Sequence, residues 1–198
     1  VIRGQWNRMH QHTEIEAIIF DFGGVFTESP YAVLEAFGAE INLTASQIKE
    51  LVLGPFTADG DHPWHRLERG EISLAQARED ILQLSRERHG VEVDIYRFFH
   101  RMPRDAGLRH TLVERVHRLK REGYRTAILT NNIREFSNGW RSLLPVDELF
   151  DTIVDSSIEG IRKPNPAVFR LTLKRMGEPS AERTVFLDDF EANVATAR

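Results

Sequence analysis

The chain of 198 residues contains no cysteine. That absence excludes disulfides, thiolate nucleophiles and thiolate metal sites, and it is compatible with a reducing cytoplasm, the setting expected here. No apolar run approaches the ~20 residues that a membrane-spanning helix requires, and the start carries no hydrophobic stretch of the secretory kind. No membrane partner is therefore expected. A basic excess is missing too: 26 Lys and Arg stand against 30 Asp and Glu, for a formal charge of −4. Proteins that bind nucleic acid usually present a basic field, so no nucleic-acid partner is expected either. There is no internal repeat and no low-complexity segment.

What remains is ordinary for a globular protein, with 41% hydrophobic and 28% charged residues. The length suffices for one domain, or for a core with a small insertion. Residues 1–14 are polar and aperiodic and read as a flexible tail; His10 and His12 within it could hold a metal, but a solvated tail is the simpler reading. The first strong signal is the run Ile15–Phe20, which ends abruptly at Asp21-Phe22-Gly23-Gly24. Continuous apolar runs fit strands buried on both faces, as in a parallel sheet. Arg125–Thr130 behaves likewise and leads into Asn131-Asn132. Thr184–Leu187 leads into Asp188-Asp189, and Phe150–Val154 is a weaker candidate. Helical patterns separate them, one with Leu112, Val113, Val116 and Leu119 before Gly123, another opened by Pro166 and closed near Gly177. The alternation predicts an α/β doubly wound parallel sheet.

The stretch from Pro30 to Pro103 differs, with helix signals and no convincing strand. Thr44-Ala45-Ser46-Gln47 and Ser73-Leu74-Ala75-Gln76 both match the capping box, in which two side chains satisfy opposing backbone donors. We therefore expect a helical insert over residues 28–105, entered near Glu28 and left near Asp105, within a core formed by 15–27 and 106–198. The last helical pattern, Glu191–Arg198, meets no following strand, which suggests a shortened chain.

In an open α/β sheet, ligands bind beyond the carboxyl ends of the strands. Asp21, Thr130, Asp188 and Asp189 each fall at such an end. Carboxylates gathered there make poor core material, because unpaired buried charge is costly. Around a hard cation such as magnesium they make chemical sense, since it prefers oxygen ligands and keeps positions for water and phosphate. Lys163, in Arg162-Lys163-Pro164-Asn165-Pro166, adds a positive charge from a loop stiffened by two prolines. A metal, a lysine and a carboxylate nucleophile together suit phosphoryl transfer. Each residue also has a plainer reading alone. Asp21 could cap a turn, Asp188-Asp189 could N-cap the next helix, Thr130-Asn131-Asn132 could cap as well, and Lys163 could be a surface lysine.

Taken in order, Asp21-Phe22-Gly23-Gly24-Val25, Thr130, Lys163 and Asp188-Asp189 resemble the four motifs of the haloacid dehalogenase (HAD) superfamily. The insert resembles that superfamily's helical cap. Phe22-Gly23-Gly24-Val25 and Arg69-Gly70-Glu71-Ile72-Ser73 look closest to the phosphatase domain attached to mammalian soluble epoxide hydrolase and its bacterial relatives. The resemblance implies that Asp21 is the nucleophile of an aspartyl-phosphate route. It implies that Thr130 and Asn131 bind the phosphoryl group and that Lys163 pairs with Asp21 and the phosphate. Magnesium would be held by Asp21, the Gly23 carbonyl and Asp189, with Asp188 as a further ligand or an orienting residue. A small-molecule phosphate ester is the implied substrate.

One position departs from the pattern. Such phosphatases usually carry a second Asp two residues after the nucleophile, as general acid and base; here the residue is Gly23. General acid–base catalysis is typically worth ~10²–10⁴-fold, so basic alkyl leaving groups should suffer most. Two other readings follow: carbon–halogen hydrolysis, which needs no second Asp, and a domain that binds a phosphorylated ligand or a partner protein without turnover. His62, His65 and Trp64, near Asp59 and Asp61, are candidates for a replacement acid or a substrate contact, although a lone His is more often structural, and Glu28 reads as a hinge or surface residue. The substrate itself and the oligomeric state are not written in the sequence.

Overall fold

The computed structural model describes residues 14–29, 31–55, 57–102 and 107–198. The tail histidines His10 and His12, and Pro30, Pro103 and Asp105 at the expected ends of the insert, lie outside the described residues.

Strands β1 (Ala17–Phe20), β2 (Arg125–Thr130), β3 (Thr152–Asp155) and β4 (Thr184–Leu187) form one parallel sheet in the order β3-β2-β1-β4. This is the expected α/β class. β1 begins two residues later than the apolar run suggests: Ile15 is 36% exposed, and Glu16 turns its carboxylate to the Ser180 N–H. The weak candidate also shifts, because the Phe150 N–H is spent on the Val146 carbonyl of a preceding helix.

Alternation along β1 and β2 builds two apolar layers. Ile18, Phe20 and Ile128 face one way, onto α6 (His110–Arg121), α7 (Ser137–Leu143) and α8 (Val146–Leu149). Ala17, Ile19, Ala127 and Leu129 face the other, onto α10 (Pro166–Arg175) with Val168 and Phe169. A sheet covered on both faces explains why these strands read as unbroken apolar runs.

Between β1 and α6 the described residues form five helices: α1 (Tyr31–Glu40), α2 (Ala45–Leu53), α3 (Pro63–Glu68), α4 (Leu74–His89) and α5 (Ile95–Phe99). They close around an apolar cluster of their own that includes Phe37, Ile48, Leu51, Ile81 and Phe98. Thr44 and Gln47 make the complete capping box at α2. At α4 only half of it forms. Ser73 accepts from the Gln76 N–H, but the Gln76 side chain donates to Asp80 and Glu135 takes the Leu74 N–H. A longer-range carboxylate thus satisfies the first backbone donor inside the helix. Two short helices complete the core, α9 (Ser156–Glu159) after β3 and α11 (Glu191–Ala197) after β4.

Candidate active site

The register of the sheet assembles the site. Phe20 pairs with Ile128 on one side and with Leu187 on the other. Asp21 and Asp188 therefore leave neighbouring strands at the same level, and the Asp21 N–H extends the ladder to the Leu187 carbonyl at 2.8 Å. Lys163 reaches both from the loop between α9 and α10. Its Nζ lies 2.8 Å from Asp21 Oδ1 and 2.6 Å from Asp188 Oδ2, and 1% of its side chain is exposed.

The neighbouring groups hold these three in place. Asn131, just past β2, grips the Lys163 backbone at two points, accepting its N–H at Oδ1 (2.8 Å) and donating Nδ2 to its carbonyl (3.0 Å). Asp188 Oδ1 accepts the Phe190 N–H, and Asn193 Nδ2 donates to both Asp188 oxygens. Phe22 N–H donates to Asp21 Oδ1 at 2.7 Å. Asp189 rests against Gly24, which has φ of 75°; a Cβ there would stand 2.0 Å from Asp189 Oδ2, so only glycine admits that carboxylate. Arg109 fastens the same loop from outside through the Gly24 and Val25 carbonyls.

Ligand oxygens of Asp21, Asp188 and Asp189 lie within 4.8 Å of one another. Three carboxylates thus face one ammonium, an excess of negative charge. Burial pushes the Asp21 carboxyl above the ordinary carboxylate range; Lys163 opposes this and Asp188 adds to it. Asp189 is raised for the same reasons, burial first and Asp188 second. Burial alone would lower the Lys163 ammonium, but Asp21 and Asp188 outweigh it and it stays charged. A compact, all-oxygen set with surplus negative charge fits a magnesium ion, which binds through one or two carboxylates and keeps room for water and phosphate.

A pocket of about 180 Å³ opens over the cluster. Asp21, Gly23, Asn131, Lys163 and Asp189 line it, together with Tyr31 of α1, Leu53 of α2 and Trp64 of α3. Thr130 stands apart from these walls: it is 3% exposed, and its hydroxyl is directed at the Asn131 carbonyl at 3.5 Å. His62 and His65 do not line the pocket. His62 caps α3 by accepting the Trp64 N–H, and buried His65 accepts the Gly60 N–H. Burial holds both below the ordinary imidazole range, at about 4 and about 3, so both are neutral near pH 7.

Sequence reasoning overlooked Arg162, Glu68, Tyr31 and Asn193, all of which line the pocket. Arg162 Nε donates to Glu68 Oε2 at 2.7 Å, and Trp64 Nε1 donates to Glu68 Oε1 at 2.9 Å. Asn193, one helical turn past Asp189, carried the one available signal. Nothing local marks Glu68, which meets Arg162 from 94 residues away.

A model of the haloacid dehalogenase-like hydrolase family matches residues 15–198. The chain belongs to that family. Acyl-CoA dehydrogenase family member 10 of Mus musculus is 32% identical over 91% of this chain, which spans 17% of that longer protein. A sesquiterpene phosphatase of Aspergillus oryzae is 28% identical, over 94% of this chain and 86% of its own length. A HAD family enzyme of Bacteroides thetaiotaomicron, solved with magnesium and inorganic phosphate, has the same fold: its TM-score is 0.58 at 22% identity, covering 92% of this chain and 89% of the other. The chain is thus a HAD-like hydrolase with phosphatases among its relatives. Among the described residues no helix is long and apolar enough to cross a membrane.

Proposed function

We propose that the chain hydrolyses small-molecule phosphate monoesters with magnesium, through an aspartyl phosphate on Asp21. The observation that carries this reading is Lys163, buried and bonded at once to Asp21 and Asp188 beneath an open pocket. Phosphoryl transfer needs positioning and fixed positive charge more than covalent chemistry, and this arrangement supplies both.

In the first step Asp21 attacks phosphorus. Its Oδ1 is held by Lys163 and the Phe22 N–H, which aims Oδ2 at the substrate. The bond to the leaving oxygen breaks as the Asp21–phosphorus bond forms. Lys163 holds the phosphoryl oxygens from a backbone that Asn131 fixes at two points, and Thr130 can join it by turning its hydroxyl away from the Asn131 carbonyl. Water then attacks phosphorus, and Asp21 leaves with inorganic phosphate as the product. Magnesium would be held by Asp21, Asp189 and the Gly23 carbonyl, and would supply charge to the phosphoryl group. Asp188, already bonded on both oxygens, orients Lys163. No carboxyl stands at position 23 to protonate the leaving oxygen, so groups that depart as stable anions are favoured. The insert, residues 28–105, acts in this reading as a cap that roofs the site and excludes water from a core made of 15–27 and 106–198.

The test is magnesium-dependent phosphate release from p-nitrophenyl phosphate, wild type beside Asp21→Asn. Release that requires magnesium and vanishes in the variant is expected. Release that survives in Asp21→Asn removes Asp21 as nucleophile.

A further inference from the structure

Beside the nucleophile pocket lies a second recess of about 140 Å³. The two share Leu53, Trp64, Glu68 and Asn131 as lining residues, so they lie side by side. The far side is apolar and largely aromatic: Phe98, Phe99, Met102, Ile133 and Phe136. The rings support one another, with Trp64 and Phe99 centroids 6.1 Å apart and Phe136 set edge-on to Phe99 at 5.0 Å.

The polar residues on the shared wall are turned onto other partners. Asn131 commits both its Oδ1 and its Nδ2 to the Lys163 backbone. Glu68 accepts Trp64 Nε1 on one oxygen and Arg162 Nε on the other. Farther in, Asn132 Oδ1 is taken by the Ile133 N–H. A sugar or polyol pushed into this recess would leave water for an apolar far wall, which is costly for each hydroxyl that finds no partner there. An apolar group loses nothing there, and Met102 can adapt its shape to it. The volume is close to the roughly 150 Å³ of an apolar protein cavity that takes up one benzene ring.

Building on the phosphatase reading, we propose that this recess receives the leaving group, and that the substrates are monophosphates of apolar alcohols or phenols about one ring in size. The phosphate sits over Asp21 and Lys163, and the ring passes between Trp64 and Asn131 into the aromatic wall. Polyol and sugar phosphates are excluded by the same wall.

Phosphonates, whose carbon–phosphorus bond resists hydrolysis, test this by calorimetric titration of the magnesium-loaded wild-type protein. Benzylphosphonate is expected to bind about tenfold or more tighter than methylphosphonate, as burial of a ring implies. 2,3-Dihydroxypropylphosphonate should gain nothing over methylphosphonate. Phe136→Ala, at a position 38% exposed, should cut the benzyl preference about two- to tenfold by removing the ring packed on Phe99. Equal binding of benzyl- and methylphosphonate, an equal gain for the dihydroxypropyl compound, or an undiminished preference in Phe136→Ala overturns the inference and leaves the phosphate site standing. If no phosphonate binds at all, the phosphatase reading fails and this inference fails with it.

Discussion

Arg162 and Lys163 are consecutive residues, both buried, and each is placed between two carboxylates. Lys163 lies among Asp21 and Asp188, which come from strand ends of the core. Arg162 points to the helical insert, with Nε 2.7 Å from Glu68 and Nη1 3.6 Å from Asp59. The chemistry of the two cations suits the two places. An ammonium is a compact charge with three donors that can be shared with an arriving phosphate, whereas a guanidinium is a rigid fork best matched to a carboxylate that stays put. One loop thus completes the site with Lys163 and fastens α3 with the residue before it. Asp59 is shared with Arg69, which also pairs with Glu71, so the tie continues into the insert.

The comparison breaks most sharply by substituting each cation in turn. Lys163→Met should reduce phosphate release to background and destabilise the fold by about 3–5 kcal/mol, because two buried carboxylates lose their cation. Urea unfolding with and without magnesium should show part of that loss recovered by the metal, as the three carboxylates remain. Arg162→Met should cost less, about 1.5–3 kcal/mol, since Glu68 keeps the Trp64 bond. Its kinetic effect should fall on KM more than on kcat, as expected of a residue that positions the roof. An equal collapse of kcat in both variants would erase the distinction drawn between them.

Gly23→Asp sharpens the same contrast by adding an acid on the Lys163 side alone. A Cβ at position 23 would meet no heavy atom within 4 Å, so the side chain is sterically admitted. Turnover of alkyl phosphates should rise by about 10²–10⁴-fold, with a much smaller change for p-nitrophenyl phosphate, whose leaving group departs as a stable anion. Steady-state rates on an alkyl and an aryl phosphate, wild type beside variant, decide it. No gain on the alkyl ester in a folded, magnesium-loaded variant means that proton transfer does not limit the site.

The half of this comparison that belongs to Lys163 was legible in the sequence, and the half that belongs to Arg162 was not. Runs that end at Asp21, Thr130 and Asp188 announce strands whose carboxyl ends meet, because a parallel sheet leaves few other arrangements. Strand edges were readable to within two residues: Ile15 has the composition of a strand but lies beyond the last covered position. Capping residues marked the starts of α2 and α4, but not what those helices meet. The Glu68–Arg162 pair and the aromatic recess depend on how α3 and α5 are seated, and that is set by packing across long stretches of chain. His62 and His65 show an open choice settled towards the structural side. Their residue type suggests acid–base chemistry, yet one caps a helix and the other is buried behind the roof.

Those histidines give the smallest expected effect and confine it to the insert. Burial lowers both, with Arg88 assisting at His62 and Arg162 assisting at His65. An imidazole that titrates lower in the folded state than its ordinary value near 6.5 contributes stability above that value. The contribution is lost as the pH falls, across a window that reaches about 4 for His62 and about 3 for His65. Between pH 7 and pH 6 the loss from buried His65 should be about 0.5–1 kcal/mol, read as a shift in the urea midpoint at constant ionic strength. His65→Gln should flatten that slope by removing a proton that the unfolded chain takes up and the folded chain refuses. A slope unchanged by His65→Gln would assign the acid sensitivity to another group that titrates low in the folded state, His62 first, because the raised carboxyls of Asp21 and Asp189 gain stability on acidification.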